Sequence, residues 1–184
     1  MSKRIACLGW GSLIWARGAL PVSGAWFPHG PALPIEFARL SGDGRVTLVI
    51  TPHARELPVL WAMLDAPSVS EARRLLMLRE GSTRPDRIGR WPHKEHDTAE
   101  HPVTRLVGDW AVRNGLDGVV WTQLPPRWDG ESDRVPTIEQ VLGYLRASTT
   151  PALAETYVRR TPLQIRTAYR DRIEAELGWT PSAA

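Results

Sequence analysis

Two short stretches of this 184-residue chain carry residue types that could do chemistry. The first is Gly9-Trp10-Gly11-Ser12-Leu13. Glycine tolerates positive φ and lets a ligand come close to the backbone. Successive N–H groups in such a turn form a concavity that suits an anion, and Ser12 adds a hydroxyl. The stretch has neither the Gly-Lys-Ser/Thr ending of a phosphate loop nor the full glycine pattern of a dinucleotide site. The second stretch is Leu75-Leu76-Met77-Leu78-Arg79-Glu80-Gly81. Glu80 lies four residues after Leu76, at the edge of the apolar face of a helix. A carboxylate pressed against apolar surface is expected to have a raised pKa, which suits proton transfer near neutral pH. An anion at a helix C-terminus also opposes the helix dipole, so its placement there asks for a reason.

Other residues are candidates of a plainer kind. Glu36 and Arg39 share an expected strand, and Arg39 could grip a substrate carboxylate with two parallel hydrogen bonds; an edge-strand ion pair explains them equally well. His93, Glu95, His96, Asp97, Glu100 and His101 make a run rich in metal-ligand types. Pro92 and Pro102 bracket that run, which is polar and aperiodic, so the reading is a solvated loop and no metal site. Cys7 is the single cysteine, which rules out an intramolecular disulfide. It stands in the apolar run Ile5-Ala6-Cys7-Leu8 and reads as a buried strand residue. Tyr144, Tyr157 and Tyr169 fall on expected helices; any one could offer a hydroxyl to the site, while packing is their ordinary role. The nine tryptophans are spread along the whole chain, as core and pocket-wall packing would have it. Stacking on bases would call for a basic stripe beside them. The net charge is only +3 and the arginines are scattered, so no nucleic-acid partner is expected.

The elements that must position these residues follow from periodicity and punctuation. Residues 5–8 read as a short buried strand ending in the glycine turn. Residues 19–32 are rich in Pro and Gly and read as loop with a brief extended piece. Residues 33–40 and 46–51 read as two strands joined at Gly42-Asp43-Gly44, and 58–64 as another. Ser68 can cap a helix whose stripe is Val69, Ala72, Leu75, Leu76 and Leu78 and whose end is Gly81. Residues 82–102 read as a long loop or insertion. A helix is expected over 103–114, a strand over 118–124, a loop over 125–136 and a helix over 138–147. Two more helical segments fill 151–178, divided near Thr161-Pro162.

Strands gathered early and helices gathered late indicate an α+β domain rather than a regular parallel α/β sheet. The expected form is a small curved or barrel-like mixed sheet, rich in antiparallel pairs, with helices around it. A hydrophobic share of 42% and a charged share of 23% suit one core, and no stretch marks a domain boundary, so a single domain is expected over 1–184. No run is apolar enough to span a membrane. The basic start is followed by an apolar run that Gly9 and Gly11 interrupt, a poor signal peptide. The expectation is a cytoplasmic protein with no membrane partner.

Taken together, the turn and the Glu-Gly pair resemble the γ-glutamylcyclotransferase-like family. That family opens with a strand and a Tyr-Gly-Ser-(Asn)-Leu turn, continues with a strand pair and a Val-x-Gly-type strand, and then has a helix ending in Glu-Gly. Here Trp10-Gly11-Ser12-Leu13, residues 33–40 and 46–51, residues 58–64, and Glu80-Gly81 stand in that order. The resemblance covers about the first 80 residues and extends more loosely to 118–124. Gly9, Trp10, Gly11, Ser12 and Leu13 are the candidate substrate-binding residues of the turn, and the resemblance implies that Gly11, Ser12 and Leu13 hold the γ-glutamyl part of a small-molecule substrate. It implies too that Glu80 is the general acid/base that helps the α-amine attack the γ-carbonyl, releasing 5-oxoproline without metal or organic cofactor. Trp10 replaces the family's tyrosine, and the third strand carries Trp61-Ala62 in altered order. A non-catalytic binding or regulatory protein on the same fold is the alternative.

Overall fold

The computed structural model describes residues 3–94, 101–149 and 151–181. Along the chain run β1 (Ile5–Gly9), β2 (Val22–Phe27), β3 (Ala32–Leu40), β4 (Val46–Ile50), β5 (Glu56–Pro58) and β6 (Leu60–Leu64). Next come α1 (Val69–Arg79), β7 (Ile88–Trp91), α2 (Val103–Arg113) and β8 (Gly118–Thr122). The short β9 (Arg127–Trp128) and β10 (Glu131–Ser132) precede α3 (Ile138–Ala147), α4 (Pro151–Arg160) and α5 (Ala168–Leu177). The class is α+β. Among the described residues no helix is long and apolar enough to cross a membrane.

The residues gather into two compact units. The first is drawn from the described residues of Met1–Gly9, Ala16–Leu33 and Pro58–Leu124, the second from those of Trp10–Trp15, Pro34–Leu57 and Pro125–Ala184.

The first unit holds a mixed sheet with strand order β2-β6-β1-β8-β7. β1 is its centre and every residue of it is buried. It runs antiparallel to β6, with Cys7 opposite Ala62 and Gly9 opposite Leu60, and parallel to β8, with Ile5 opposite Gly118. A strand covered on both faces has no polar side to show, which is why Ile5-Ala6-Cys7-Leu8 is unbroken. α1 begins as the sequence indicates, with Ser68 Oγ accepting from the Glu71 N–H at 3.1 Å. Its buried face is narrower than expected. Ala72 and Leu76 are buried, Leu75 is half-buried, and Leu78 is 60% exposed, since it stands about 200° around the helix from Leu76.

Two segments read wholly as loop contain strands, and the brief extended piece expected within 19–32 is a strand as well. Residues 88–91 form β7, an edge strand antiparallel to β8 with Ile88 opposite Thr122 and Trp91 opposite Val119. Residues 22–27 form the other edge, β2, whose register against β6 shifts between Ser23 and Phe27. Within 125–136, β9 and β10 pair antiparallel. Edge strands pair on one side only and tolerate Gly, Arg and irregular polarity, so the period-two signal that marks a central strand is missing from them.

The second unit holds a sheet of order β10-β9-β3-β4, with β5 also pairing β3. β3 and β4 form the hairpin expected at Gly42-Asp43-Gly44, with a register shift between Phe37 and Arg39. Asp43 locks the turn by accepting from Ser41 Oγ at 2.6 Å and from Arg45 Nε at 2.7 Å. Burial works against the charge on Asp43, but the Arg45 guanidinium and the Ser41 hydroxyl outweigh it and hold the carboxyl at about 2. α3 opens with a capping box between Thr137 and Gln140. α5 opens on Thr167 and ends at Gly178. Between α4 and α5, the fully buried Arg170 guanidinium donates to the carbonyls of Thr161, Pro162 and Ile165 and to Glu174.

Candidate functional site

The second unit positions the turn Trp10–Trp15. The Ile14 N–H closes it on the Gly11 carbonyl at 3.0 Å. β4 is an edge strand, and an edge leaves main-chain groups to satisfy. Two side chains do so at Leu48. The buried Trp10 indole donates from Nε1 to the Leu48 carbonyl at 3.2 Å, and the Leu48 N–H donates to the Tyr157 hydroxyl at 3.4 Å. Trp10 and Tyr157 thus tie the turn and α4 to the same residue of the hairpin.

The role of Gly11 is a close approach and not a left-handed backbone. Gly9 and Gly11 are not among the residues with positive φ, which corrects the conformational argument made from sequence. A Cβ on Gly11 would collide with the Tyr157 hydroxyl and lie 3.1 Å from Cζ of the same ring. Gly9 is the last residue of β1. Ser12 is half-buried and Leu13 is buried.

Around Tyr157 stands an aromatic and cationic cluster. Trp15 meets its ring edge-on at 5.5 Å, and Phe37 meets it at 6.2 Å. The Arg45 guanidinium lies 5.6 Å from the Tyr157 centroid, and the Arg160 guanidinium lies 5.4 Å from the Trp15 ring. Of the three tyrosines, this one reaches the turn. Tyr144 donates to the Gly44 carbonyl and Tyr169 to the Pro136 carbonyl.

The other strand candidates have structural partners. Arg39 donates from Nη1 to the Pro125 carbonyl at 2.8 Å. The buried Glu36 carboxylate accepts from the Phe37 N–H at 2.8 Å and from the Tyr169 N–H at 3.2 Å. It therefore serves the N-terminus of α5, where an anion complements the dipole. Burial pushes its pKa up, against the pull of hydrogen bonds from Thr167, Phe37, Tyr169 and Ala168.

Glu80 belongs to the first unit. It is the C-terminal cap of α1, its N–H bonding to the Leu76 carbonyl at 3.0 Å. Gly81 follows at φ 62°, the left-handed position that glycine fills at helix ends. The Glu80 side chain is 14% exposed and pairs with Arg79 at 2.5 Å. The same guanidinium donates from Nη2 to the Ala16 carbonyl at 2.7 Å. Glu80 is thus largely buried and paired with a cation, a partner that the apolar spacing alone does not disclose. Burial pushes the Cys7 thiol up, and the negative charge of Glu80 pushes it further. A thiol so placed is a packing group and not a nucleophile.

His93 and His101 are described, while Glu95, His96, Asp97 and Glu100 lie outside the described residues. Among the described residues no group of three or more His, Cys, Asp or Glu could hold a metal ion. Several tryptophans pack as cores do. Trp121 is fully buried, and Trp110 meets Trp61 edge-on at 5.4 Å while donating to the His29 carbonyl.

Arg45 and Arg160 are the residues at the turn that sequence reasoning did not name, and Tyr157 is the one of the three candidate tyrosines whose hydroxyl stands there. Helical spacing places Tyr157 with Ala154 and Val158 on the buried face of α4, but spacing says nothing about which turn that face meets. No family model, curated protein or solved structure matches the chain.

Proposed function

We propose that the chain is a γ-glutamylcyclotransferase-like enzyme, in fold and in chemistry, that releases 5-oxoproline from a γ-glutamyl peptide or amine. The substrate's α-amine attacks its own γ-carbonyl carbon. The new C–N bond closes the five-membered ring as the old amide C–N bond breaks. Glu80 takes the proton from the attacking amine and delivers it to the leaving nitrogen. Because both reacting groups belong to one molecule, the protein's task is to hold the chain folded and to move one proton. Backbone N–H groups of the turn, with the Ser12 hydroxyl, supply donors for the developing oxyanion.

The observation that carries this reading is Glu80 itself. It is a largely buried carboxylate at the end of α1, where the dipole favours a cation, and it is oriented by Arg79. The mixed sheet and the order of strand, turn, hairpin, strand and Glu-Gly helix add support from the resemblance. The test is 5-oxoproline release by the purified protein from glutathione, γ-glutamyl dipeptides and γ-glutamyl amines, with Glu80→Gln beside it.

A second reading, a non-catalytic binding protein, is favoured by Tyr157. Its hydroxyl fills the space directly over Gly11, so the turn already has an internal occupant. Saturable binding of a γ-glutamyl compound without any product would select this reading.

A further inference from the structure

We propose that Arg160, seated on Trp15 beside the Gly11 turn, recognises a ligand carboxylate and so selects γ-glutamyl substrates whose leaving amine bears one over amines that lack it. The choice of substrate rests on the cyclotransferase reading; the carboxylate recognition does not.

Arg160 is exposed at the last position of α4, and its guanidinium lies over the Trp15 ring. A guanidinium within about 6 Å of an aromatic face is drawn to it by the ring quadrupole, and its planar fork of N–H donors matches a carboxylate. Its neighbours are already matched to acids. Arg159 pairs with Glu155 at 2.6 Å, and Arg45 pairs with Asp43 at 2.7 Å. Among the described residues Arg160 has no carboxylate partner, and its contact is the ring. Its charge is therefore both positioned and uncompensated.

The ring it sits on belongs to the candidate turn. Trp15 closes the stretch that begins at Trp10, and it meets Tyr157, whose hydroxyl stands at Gly11. From the Tyr157 ring to Arg160 there are two steps, of 5.5 Å and 5.4 Å. At ~3.5 Å per residue, a ligand of two or three residues covers that reach. A γ-glutamyl group at the turn would then present the carboxylate of its leaving half toward Arg160.

The experiment compares native protein with Arg160→Gln on γ-glutamyl amino acids and on γ-glutamyl alkylamines of similar size. It adds a direct titration with glutarate, a dicarboxylate with no bond to cleave, followed by tryptophan fluorescence. The expected result is a fall of about ten-fold in kcat/KM for the amino-acid substrates, carried by KM, with the alkylamines unchanged within about two-fold. Glutarate affinity falls by about the same factor and Arg160→Lys recovers part of it, since lysine keeps the charge without the fork. Equal losses on both substrate classes, or no loss on either, would overturn the selectivity. If no compound yields 5-oxoproline, the cyclotransferase reading fails and the glutarate titration decides the recognition alone. Binding weakened in Arg160→Gln supports it, while equal binding or none in the native protein refutes it. Arg160 is exposed, so unfolding midpoints of the variants should match the native one and confirm that affinity, not folding, has changed.

Discussion

A methyl group on Gly11 would enter the space held by the Tyr157 hydroxyl, while the nearest ring carbon stands at 3.1 Å. Gly11→Ala should therefore destabilise the fold by about 1–3 kcal/mol, measured by urea unfolding. In a Tyr157→Phe background the oxygen is gone and the cost should shrink, so the two changes should combine to less than their sum. Full additivity would mean that the phenol is not what Gly11 accommodates. Glu36 supports a prediction with a sign. Its folded pKa lies above the ordinary 4.5 because burial disfavours the charge. The native state then binds the proton more tightly than the unfolded chain does. The contribution of Glu36 is greatest below the ordinary value and declines as pH rises through the folded one. The stability of the native protein minus that of Glu36→Gln should accordingly fall as pH is raised from about 4 toward neutrality. A flat difference would contradict the raised value. At this scale part of the candidate site was legible in the sequence. Glycine flanks and a carboxylate at a helix end are visible as letters, and both lie where the spacing put them. Nothing in the sequence picks Tyr157 out of the three candidate tyrosines, since helical periodicity reports that a side chain is buried and not what it is buried against. Arg79 stands next to Glu80 in the sequence, but successive helical residues point about 100° apart, so adjacency does not announce their ion pair.

Helices were the most legible elements because their ends are chemically marked. Ser68, Thr137 and Thr167 each supply the hydroxyl that accepts from the third helical N–H. The break between α4 and α5 falls at Thr161-Pro162 as the proline requires. What holds that break is less visible. Arg170 is fully buried, and its donors satisfy three carbonyls of the connection as well as Glu174. Arg170→Met should cost about 3–5 kcal/mol, since it strips buried acceptors and a carboxylate of their partner. Thermal unfolding of the variant checks this, and a loss below ~1 kcal/mol would mean that water replaces the guanidinium freely. Strands were legible where both faces are covered, as in β1 and β8, and illegible at the edges. β7 reads Ile-Gly-Arg-Trp, with neither alternation nor a β-branched run to announce it beyond Ile88.

At the scale of the whole molecule, composition and element order were enough for the α+β class and for a mixed sheet. They could not supply the long-range pairings, such as β1 beside β8, because parallel register between distant segments leaves no local pattern. Nor could they show that each compact unit is assembled from separated stretches. The functional proposal belongs to this scale, since it concerns what the protein as a whole turns over. It is tested most directly by 5-oxoproline release from a panel of γ-glutamyl compounds, native protein against Glu80→Gln with the fold of both verified. The account predicts product from at least one compound and a loss of ~100-fold or more in the variant, the scale of a proton-transfer group. Product formed equally well by Glu80→Gln, or no product from any compound, would contradict it.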